Sequence, residues 1–210
     1  MKSITFYLDF ISPYAYLAFE TMPDVLMGHS YAVTYKPVLF AALLKHHGQR
    51  GPAEMANKRE WTYRQVQWLA HQHEVALQMP ATHPFNPLAL LRLAVASQAQ
   101  GLPNRYVCER IFHHVWQGGA EATDPERLAA LTQEFAFERV GPDADVKAQL
   151  QVHTDEAIAR GVFGVPTLEV DGKLFWGLDA LPMLQAYLAG DPWFETHWDA
   201  AGRVGQGVRR

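Results

Sequence analysis

The sequence contains very little cysteine: Cys108 is the only one among 210 residues. A single cysteine excludes an internal disulfide and any Cys-x-x-Cys redox pair. Because a free cysteine is commonly a small buried hydrophobic residue, and Cys108 shares a predicted helical face with Ile111, Phe112 and Val115, we expect it to lie in the core. Any thiol chemistry at this protein therefore needs a sulfur atom from another molecule.

The chain also lacks long apolar runs, a basic surplus and the common nucleotide motifs. No apolar stretch reaches the ~18 residues of a membrane span, and the first residues show no signal-peptide pattern, so we expect a cytoplasmic protein without a membrane partner. The net charge of −4 argues against a nucleic-acid surface. Neither a P-loop nor a G-x-G-x-x-G pattern occurs. The ten histidines lack the spacing of a helical zinc pair, so no metal is expected.

What the chain does contain is an ordinary globular composition, 49% hydrophobic and 19% charged. Residues 4–10 are rich in β-formers and predict a buried strand. Ser12-Pro13 follows directly, and this pair predicts a helix start, with the helix running to about Met27. Residues 29–36 alternate as a second strand. The chain therefore opens with a strand–helix–strand unit.

The pattern becomes helical from about residue 40 to Gly161, with few strand candidates. Thr123 or Asp124 can cap one of these helices, just before Pro125. Residues 167–176 then predict a hairpin around an Asp-Gly turn, and a closing helix is expected over 180–188. This order is typical of an α/β domain split by a helical insertion. We expect a discontinuous domain over 1–39 and 155–190, an inserted helical domain over 40–154, and a C-terminal tail over 191–210.

Four motifs carry a family resemblance. They are Asp9-Phe10-Ile11-Ser12-Pro13-Tyr14-Ala15-Tyr16-Leu17, Gly48-Gln49-Arg50-Gly51-Pro52, His83-Pro84-Phe85-Asn86-Pro87 and Gly161-Val162-Phe163-Gly164-Val165-Pro166-Thr167. They resemble the 2-hydroxychromene-2-carboxylate isomerases, which belong with the kappa-class glutathione transferases in the DsbA-like branch of the thioredoxin superfamily. The resemblance spans residues 3 to about 190. The first and last motifs, at the two expected junctions, are much more specific together than either is alone.

The resemblance implies a thioredoxin-like fold with a large all-helical insertion, a homodimer, and glutathione as cofactor. It implies a cis–trans isomerase in which the glutathione thiolate adds reversibly to an unsaturated, aromatic-derived carboxylate, within aromatic catabolism. A kappa-like transferase or peroxidase would use the same site. A non-catalytic, thioredoxin-like peptide-binding module is an alternative from a different class. The absence of sulfur from Ser12-Pro13-Tyr14-Ala15 argues against disulfide oxidoreduction.

Ser12 is the predicted catalytic residue, and its position has a physical rationale. A thiolate at a helix N-terminus gains about 0.3–1 kcal/mol from the dipole. A hydroxyl that donates to a charged acceptor adds roughly 1.5–3 kcal/mol. Together these lower a thiol pKa by about 1.5–3 units, from ~8.5 towards neutrality. A covalent role for Ser12 is disfavoured because no G-x-S-x-G elbow is present, whereas a plain helix cap is the structural alternative.

The remaining glutathione contacts follow from the resemblance. It implies a cis Pro166, which leaves the backbone of Val165 free to pair with the cysteinyl residue as an added strand would. It assigns the γ-glutamyl end to the backbone of Leu178 and to Asp179 at the start of the last helix. The glutathione-binding candidates also include Pro13, Tyr14, Gln49 and Lys58, with Lys45 as an alternative to Lys58. Asn86 and Trp176 are candidates for the substrate pocket, although Trp176 is equally compatible with the core.

Overall fold

Four strands form one sheet in the computed structural model, which describes residues 1–135, 143–203, 205 and 207. The strands are β1 (Lys2–Leu8), β2 (Tyr31–Pro37), β3 (Thr167–Val170) and β4 (Lys173–Trp176), in the spatial order β2-β1-β3-β4. β1 pairs in parallel with β2 and antiparallel with β3, and β4 is antiparallel to β3. This is the expected thioredoxin-type arrangement, and the predicted fold class is confirmed.

Helices surround this sheet, and most of those described lie between β2 and β3. The described helices are α1 (Pro13–Val25), α2 (Phe40–His46), α3 (Ala56–Gln72), α4 (Leu88–Ala96), α5 (Arg105–Trp116), α6 (Pro125–Gln133), α7 (Asp143–Ala159), α8 (Leu181–Leu188), α9 (Trp193–Thr196) and α10 (Trp198–Ala201). Short 3-10 turns occur at Pro52–Glu54 and Leu178–Ala180. The proposed domain boundaries stay a prediction, and residues 136–142 of the insertion and 204, 206 and 208–210 of the tail lie outside the described residues.

Local sequence signals set several of these elements. Ser12 is the N-cap of α1, with Pro13 in the first turn. Asp124, rather than Thr123, caps α6, because its side chain accepts from the Arg127 N–H at 2.9 Å. The Asp-Gly hairpin falls where predicted. The closing helix starts one residue later than expected, because residues 178–180 form a 3-10 turn before α8.

The sheet separates two apolar clusters. On β1, Ile4, Phe6 and Leu8 face the larger cluster, which includes α1, α4, α5 and α8. Tyr7 faces the smaller cluster, with Val165. This period of two is what a strand buried on both faces requires. Cys108 is fully buried in the larger cluster, as predicted, and burial raises the pKa of its thiol.

The register places the start of β3 beside the end of β1. Tyr7 pairs with Thr167, so the chain that enters β3 lies next to the chain that leaves β1. The loop after β1 and the loop before β3 therefore meet at the same end of the two central strands. No helix in the described part of the chain has the length and apolar character needed to cross a bilayer.

Candidate active site

The hydroxyl of Ser12 faces the loop that ends in Pro166. Ser12 lies directly before α1 and is only 5% exposed. Its Oγ accepts a hydrogen bond from the Ala15 N–H at 3.2 Å and donates to the Val165 carbonyl at 3.3 Å. The accepted bond is the one expected of a helix N-cap. The donated bond is long, and it joins the two motifs that were singled out in the sequence.

The loop before β3 exposes backbone groups to this hydroxyl. The Val165–Pro166 peptide bond is cis. Val165 precedes β3, and its N–H donates to none of the other described residues. Its carbonyl accepts from Ser12 only, among the same residues. Val165 therefore has an N–H with no partner among the described residues and a carbonyl with one long hydrogen bond, and its predicted pairing with a peptide stays a prediction.

A second loop completes this side of the site. The Gly177 N–H donates to the Pro166 carbonyl at 2.9 Å, which ties the Pro166 loop to the 3-10 turn at residues 178–180. Gly177 has a φ of +98°, and a Cβ built there would lie 2.4 Å from the Asp179 Oδ1. Glycine is therefore favoured by the backbone conformation, and an added methyl group would require the exposed Asp179 carboxylate to move. Leu178 is buried, whereas Asp179 is exposed.

Aromatic side chains border the same region. Trp176, the last residue of β4, is 54% exposed and so does not belong to the core. Its ring lies 4.9 Å from that of Phe163, measured between centroids. A Cβ on Gly164 would approach the Trp176 Nε1 to 2.6 Å, so the absence of a side chain lets the indole lie on the loop. Its predicted substrate contact stays a prediction.

Pro13 and Tyr14 occupy the first turn of α1. Pro13 is buried, and Tyr14 is half-buried, with its hydroxyl donating to the Gln65 Oε1 at 2.7 Å. The pKa of Tyr14 is raised, mainly by burial and in part by the negative charge of Asp179. Tyr14 and Asp179 therefore lie close enough to interact electrostatically. Ser12, Val165, Pro166, Trp176 and this pair are thus assembled around one loop cluster.

The other predicted ligands have weaker structural support. Gln49, Lys58 and Lys45 are exposed, and none of their side chains forms a hydrogen bond to another described residue. Asn86 is also exposed, but its Oδ1 accepts from the Leu88 N–H at 3.1 Å, just at the start of α4. The side chain of Asn86 therefore forms an Asx turn that leads into α4, whose N-cap is Pro87. The ligand and substrate roles of all four residues stay predictions.

Asp9 begins the first of the four motifs, and no role is predicted for it from the sequence. It is fully buried, and its carboxylate accepts from the Ile11 N–H at 3.2 Å and the Phe40 N–H at 2.9 Å. Burial raises its pKa to about 7, although hydrogen bonds from backbone N–H groups oppose that rise. A carboxyl three residues before a predicted catalytic serine is a weak signal in one sequence. His83 and Trp116, also given no role, contact the same turn.

One cluster among the described residues has metal-ligand chemistry. Candidate ligand atoms of Glu20, Glu109 and His113 lie within 4.8 Å of one another. Each group already has a protein partner: His113 Nε2 lies 2.9 Å from Glu20 Oε1, and Glu109 faces Arg105 at 4.0 Å. The cation of Arg105 disfavours a second positive charge there. The expectation that no metal is bound stays a prediction.

Comparisons with known proteins agree with this fold. The model of the DSBA-like thioredoxin domain matches residues 3–189. The chain is 29% identical over 199 residues to a 2-hydroxychromene-2-carboxylate isomerase of Sphingobium xenophagum, covering 89% of this chain and 98% of the relative. It is 25% identical over 207 residues to glutathione S-transferase kappa 2 of Caenorhabditis elegans, covering 90% and 92%. A solved 2-hydroxychromene-2-carboxylate isomerase superposes with a TM-score of 0.70 at 20% identity, covering 96% of this chain and all of that one.

Proposed function

This chain belongs to the DSBA-like thioredoxin domain family, and from that premise we propose that it is a glutathione-dependent cis–trans isomerase. Its substrate would be an unsaturated, aromatic-derived carboxylate of the 2-hydroxychromene-2-carboxylate type, after the activity named for its relatives. The observation that carries the proposal is the Ser12 hydroxyl, which opens α1 and faces the loop ending in Pro166. The kappa-class relatives favour glutathione as the source of sulfur.

Ser12 would stabilise a thiolate through its hydroxyl proton. That proton now forms a long bond to the Val165 carbonyl, which a charged sulfur would replace as the better acceptor. The Ala15 N–H polarises the hydroxyl through its bond to Oγ, and the 13-residue α1 adds its positive end. Only the hydroxyl proton has to turn towards the sulfur, since the Ser12 Oγ and the Ala15 N–H are held by their place in α1. Their contribution is therefore electrostatic, and no residue of the chain needs to act as a base.

The backbone around Val165 fits the peptide part of glutathione. Its N–H and carbonyl form no sheet hydrogen bonds, so a short extended peptide can pair with them as an added strand. Leu178 begins the neighbouring 3-10 turn, and the exposed carboxylate of Asp179 can accept hydrogen bonds from an ammonium group. The Pro166–Gly177 hydrogen bond holds the two loops at a fixed separation. The residues present therefore fit a tripeptide with a cationic end.

When bound, glutathione would supply the thiolate for reversible addition to a conjugated double bond, with the π pair taken up by the conjugated carbonyl and returned on elimination after rotation. No oxidant, reductant or net proton transfer is required. The chain's residues hold the sulfur and orient the substrate, with Trp176 and Phe163 offering aromatic surface beside the site. Because the fold fixes both the Ser12 hydroxyl and the aromatic surface, addition is favoured by orientation more than by acid–base chemistry.

Replacing Ser12 by Ala tests the proposal directly. We expect the pKa of bound glutathione, followed by thiolate absorbance, to rise by about 1–2 units, since a hydrogen bond to a charged group is lost. Isomerisation of 2-hydroxychromene-2-carboxylate should slow roughly 10-fold to 100-fold. Ser97→Ala is the matched control, because this buried hydroxyl also donates to a carbonyl, that of Ala94, within α4's final turn. Wild-type thiolate absorbance and turnover in Ser12→Ala would refute the role.

The two alternatives give different experimental results. A kappa-like transferase would form a stable conjugate from glutathione and a chloro-dinitro arene, whereas an isomerase returns free glutathione. The relatives named as kappa-class transferases are the observation that favours this second candidate. A peptide-binding module would show no measurable glutathione binding by calorimetry. The homodimer implied by the resemblance is tested by light scattering of the full chain.

A further inference from the structure

Two successive peptide units form the turn between β1 and α1. In each of them, both the carbonyl and the N–H are hydrogen-bonded to the protein. In the Phe10–Ile11 unit, the carbonyl accepts from the Trp116 Nε1 at 3.0 Å, and the N–H donates to the Asp9 Oδ1 at 3.2 Å. In the Ile11–Ser12 unit, the carbonyl accepts from the His83 Nε2 at 2.8 Å, and the N–H donates to the Asp9 carbonyl at 3.1 Å. Neither unit can rotate without breaking hydrogen bonds.

The two sides of this turn are held by different parts of the chain. Asp9 supplies both acceptors from the end of the first strand. Trp116 and His83 supply both donors from the helical region, 106 and 72 residues away along the chain from their partners. Trp116 is fully buried at the end of α5, and the rings of His83 and Trp116 lie 5.5 Å apart. The helical region therefore reaches the residue before Ser12.

The protonation state of His83 follows from its partners. A carbonyl oxygen only accepts, so the Nε2 bonded to Ile11 carries the hydrogen. The Nδ1 lies 2.7 Å from the Tyr63 hydroxyl, whose single proton is shared between this nitrogen and the His83 carbonyl, 2.9 Å away. Burial lowers the pKa of His83, which favours this neutral form. The Ile11 carbonyl thus selects the tautomer in which His83 is a donor to the turn.

We propose that His83 and Trp116 are positioning residues, whose ring N–H groups fix the Ile11 and Phe10 carbonyls so that Ser12 directs its hydroxyl at the glutathione sulfur. The inference rests on the proposed function for the identity of that sulfur. Neither ring touches the thiolate in this arrangement. Both act through the orientation of the peptide units that lead into Ser12, and a small rotation there displaces Oγ and weakens a hydrogen bond that depends on direction.

The test compares variants that keep or remove the donor at one ring position. In His83→Gln the amide nitrogen is the same number of bonds from Cα as Nε2, so the donor is retained. In His83→Leu it is lost. We expect His83→Leu to raise the pKa of bound glutathione by about one unit and to lower kcat roughly 10-fold to 100-fold, with the glutathione KM changed less than about threefold. His83→Gln should restore both quantities to within about threefold of wild type.

His114 provides the matched control. It is also a half-buried histidine of the helical region whose Nε2 is bonded to a backbone carbonyl, that of Ala122 at 2.9 Å, but it does not contact the turn before Ser12. We expect His114→Leu to lower stability without raising the thiol pKa. Equal losses of kcat and thiolate in His83→Leu and His114→Leu would show a merely structural role and overturn the proposal.

Failure of this inference is distinguishable from failure of the proposed function. If the wild-type chain binds glutathione without lowering its thiol pKa, the proposed function fails whatever the variants do. If the wild type lowers it and His83→Leu lowers it equally, with unchanged kcat, the positioning role fails alone. Should His83→Leu not fold, His83→Asn takes its place, because its amide nitrogen falls one bond short of Ile11. Trp116→Phe tests the second donor by the same absorbance measurement.

Discussion

The two ends of the proposed glutathione site differ in how firmly the protein holds them. At the sulfur end, defined by Ser12, Val165 and Pro166, the residues are buried, and the Ser12 hydroxyl and the Val165 and Pro166 carbonyls are bonded to the protein. At the outer end, defined by Gln49, Lys58 and Asp179, the side chains are exposed, and none forms a hydrogen bond to another described residue. The sulfur end is organised before any ligand arrives, whereas the side chains of the outer end would become ordered when the ligand binds.

This difference separates chemistry from affinity. Preorganised groups stabilise charge without a reorganisation cost at the moment of reaction. Exposed side chains lose rotamer freedom when they bind, and their charges are screened by water, so each contributes little. Changes at the sulfur end should therefore alter the thiol pKa and turnover. Changes at the outer end should alter glutathione affinity alone.

The largest expected effect comes from replacing Asp9, which lies in the turn that leads to Ser12 at the sulfur end. Because its pKa is raised to about 7, the folded chain holds this proton between about pH 4 and pH 7 while the unfolded chain releases it. Stability therefore falls as pH rises through this window, by on the order of 1–4 kcal/mol. Asp9→Asn removes that component. Urea unfolding from pH 4 to 8 measures it, with exposed Asp24→Asn as control; parallel pH profiles for Asp9→Asn and wild type would contradict it.

An intermediate effect is expected at Gly177, which joins the two ends. Gly177→Ala places a methyl group against Asp179 at a residue with positive φ, and we expect a loss of about 1–3 kcal/mol of unfolding free energy together with weaker glutathione binding. Gly172→Ala is the control, since Gly172 has a φ of +76° but no atom within 4 Å of the added Cβ. Equal glutathione affinities in the two variants would remove the proposed link to Asp179.

The smallest effects are expected at the outer end and sharpen the comparison. Asp179→Asn should raise the glutathione Kd roughly tenfold, through loss of the carboxylate's bond to the ammonium group. Lys58→Ala and Gln49→Ala should change it by less than about threefold. Calorimetry measures each Kd, and none of the three variants should move the thiol pKa. A raised thiol pKa in Asp179→Asn would mean that the two ends are not separable.

Much of the fold and the sulfur end could be predicted from local signals. Ser12-Pro13 marks a helix start by chemistry that depends only on neighbouring residues, and the Asp171-Gly172 turn sets its hairpin in the same way. The resemblance brought the motifs at Ser12 and Pro166 together, and the strand register explains why they meet. The exposure of Trp176, by contrast, cannot be predicted from local signals, since an aromatic residue at a strand end is compatible with core or surface.

The support around Ser12 could not be predicted in this way. The bonds from Trp116 to Phe10 and from His83 to Ile11 join residues far apart in sequence, and nothing local distinguishes these rings from ordinary core aromatics. The raised pKa of Asp9 depends on its complete burial, which only the folded packing produces. Asn86 illustrates the opposite case, because its Asx turn before α4 joins residues only two positions apart.

The burial of Cys108 should make the folded chain unreactive towards thiol reagents. A chromogenic disulfide added to the native chain with glutathione would titrate only glutathione sulfur, without any background from the polypeptide. The same reagent would register one additional equivalent when denaturant opens the core. A single colour reaction thus reports glutathione thiol alone while the fold is intact and the exposure of Cys108 when it opens, with no engineered label.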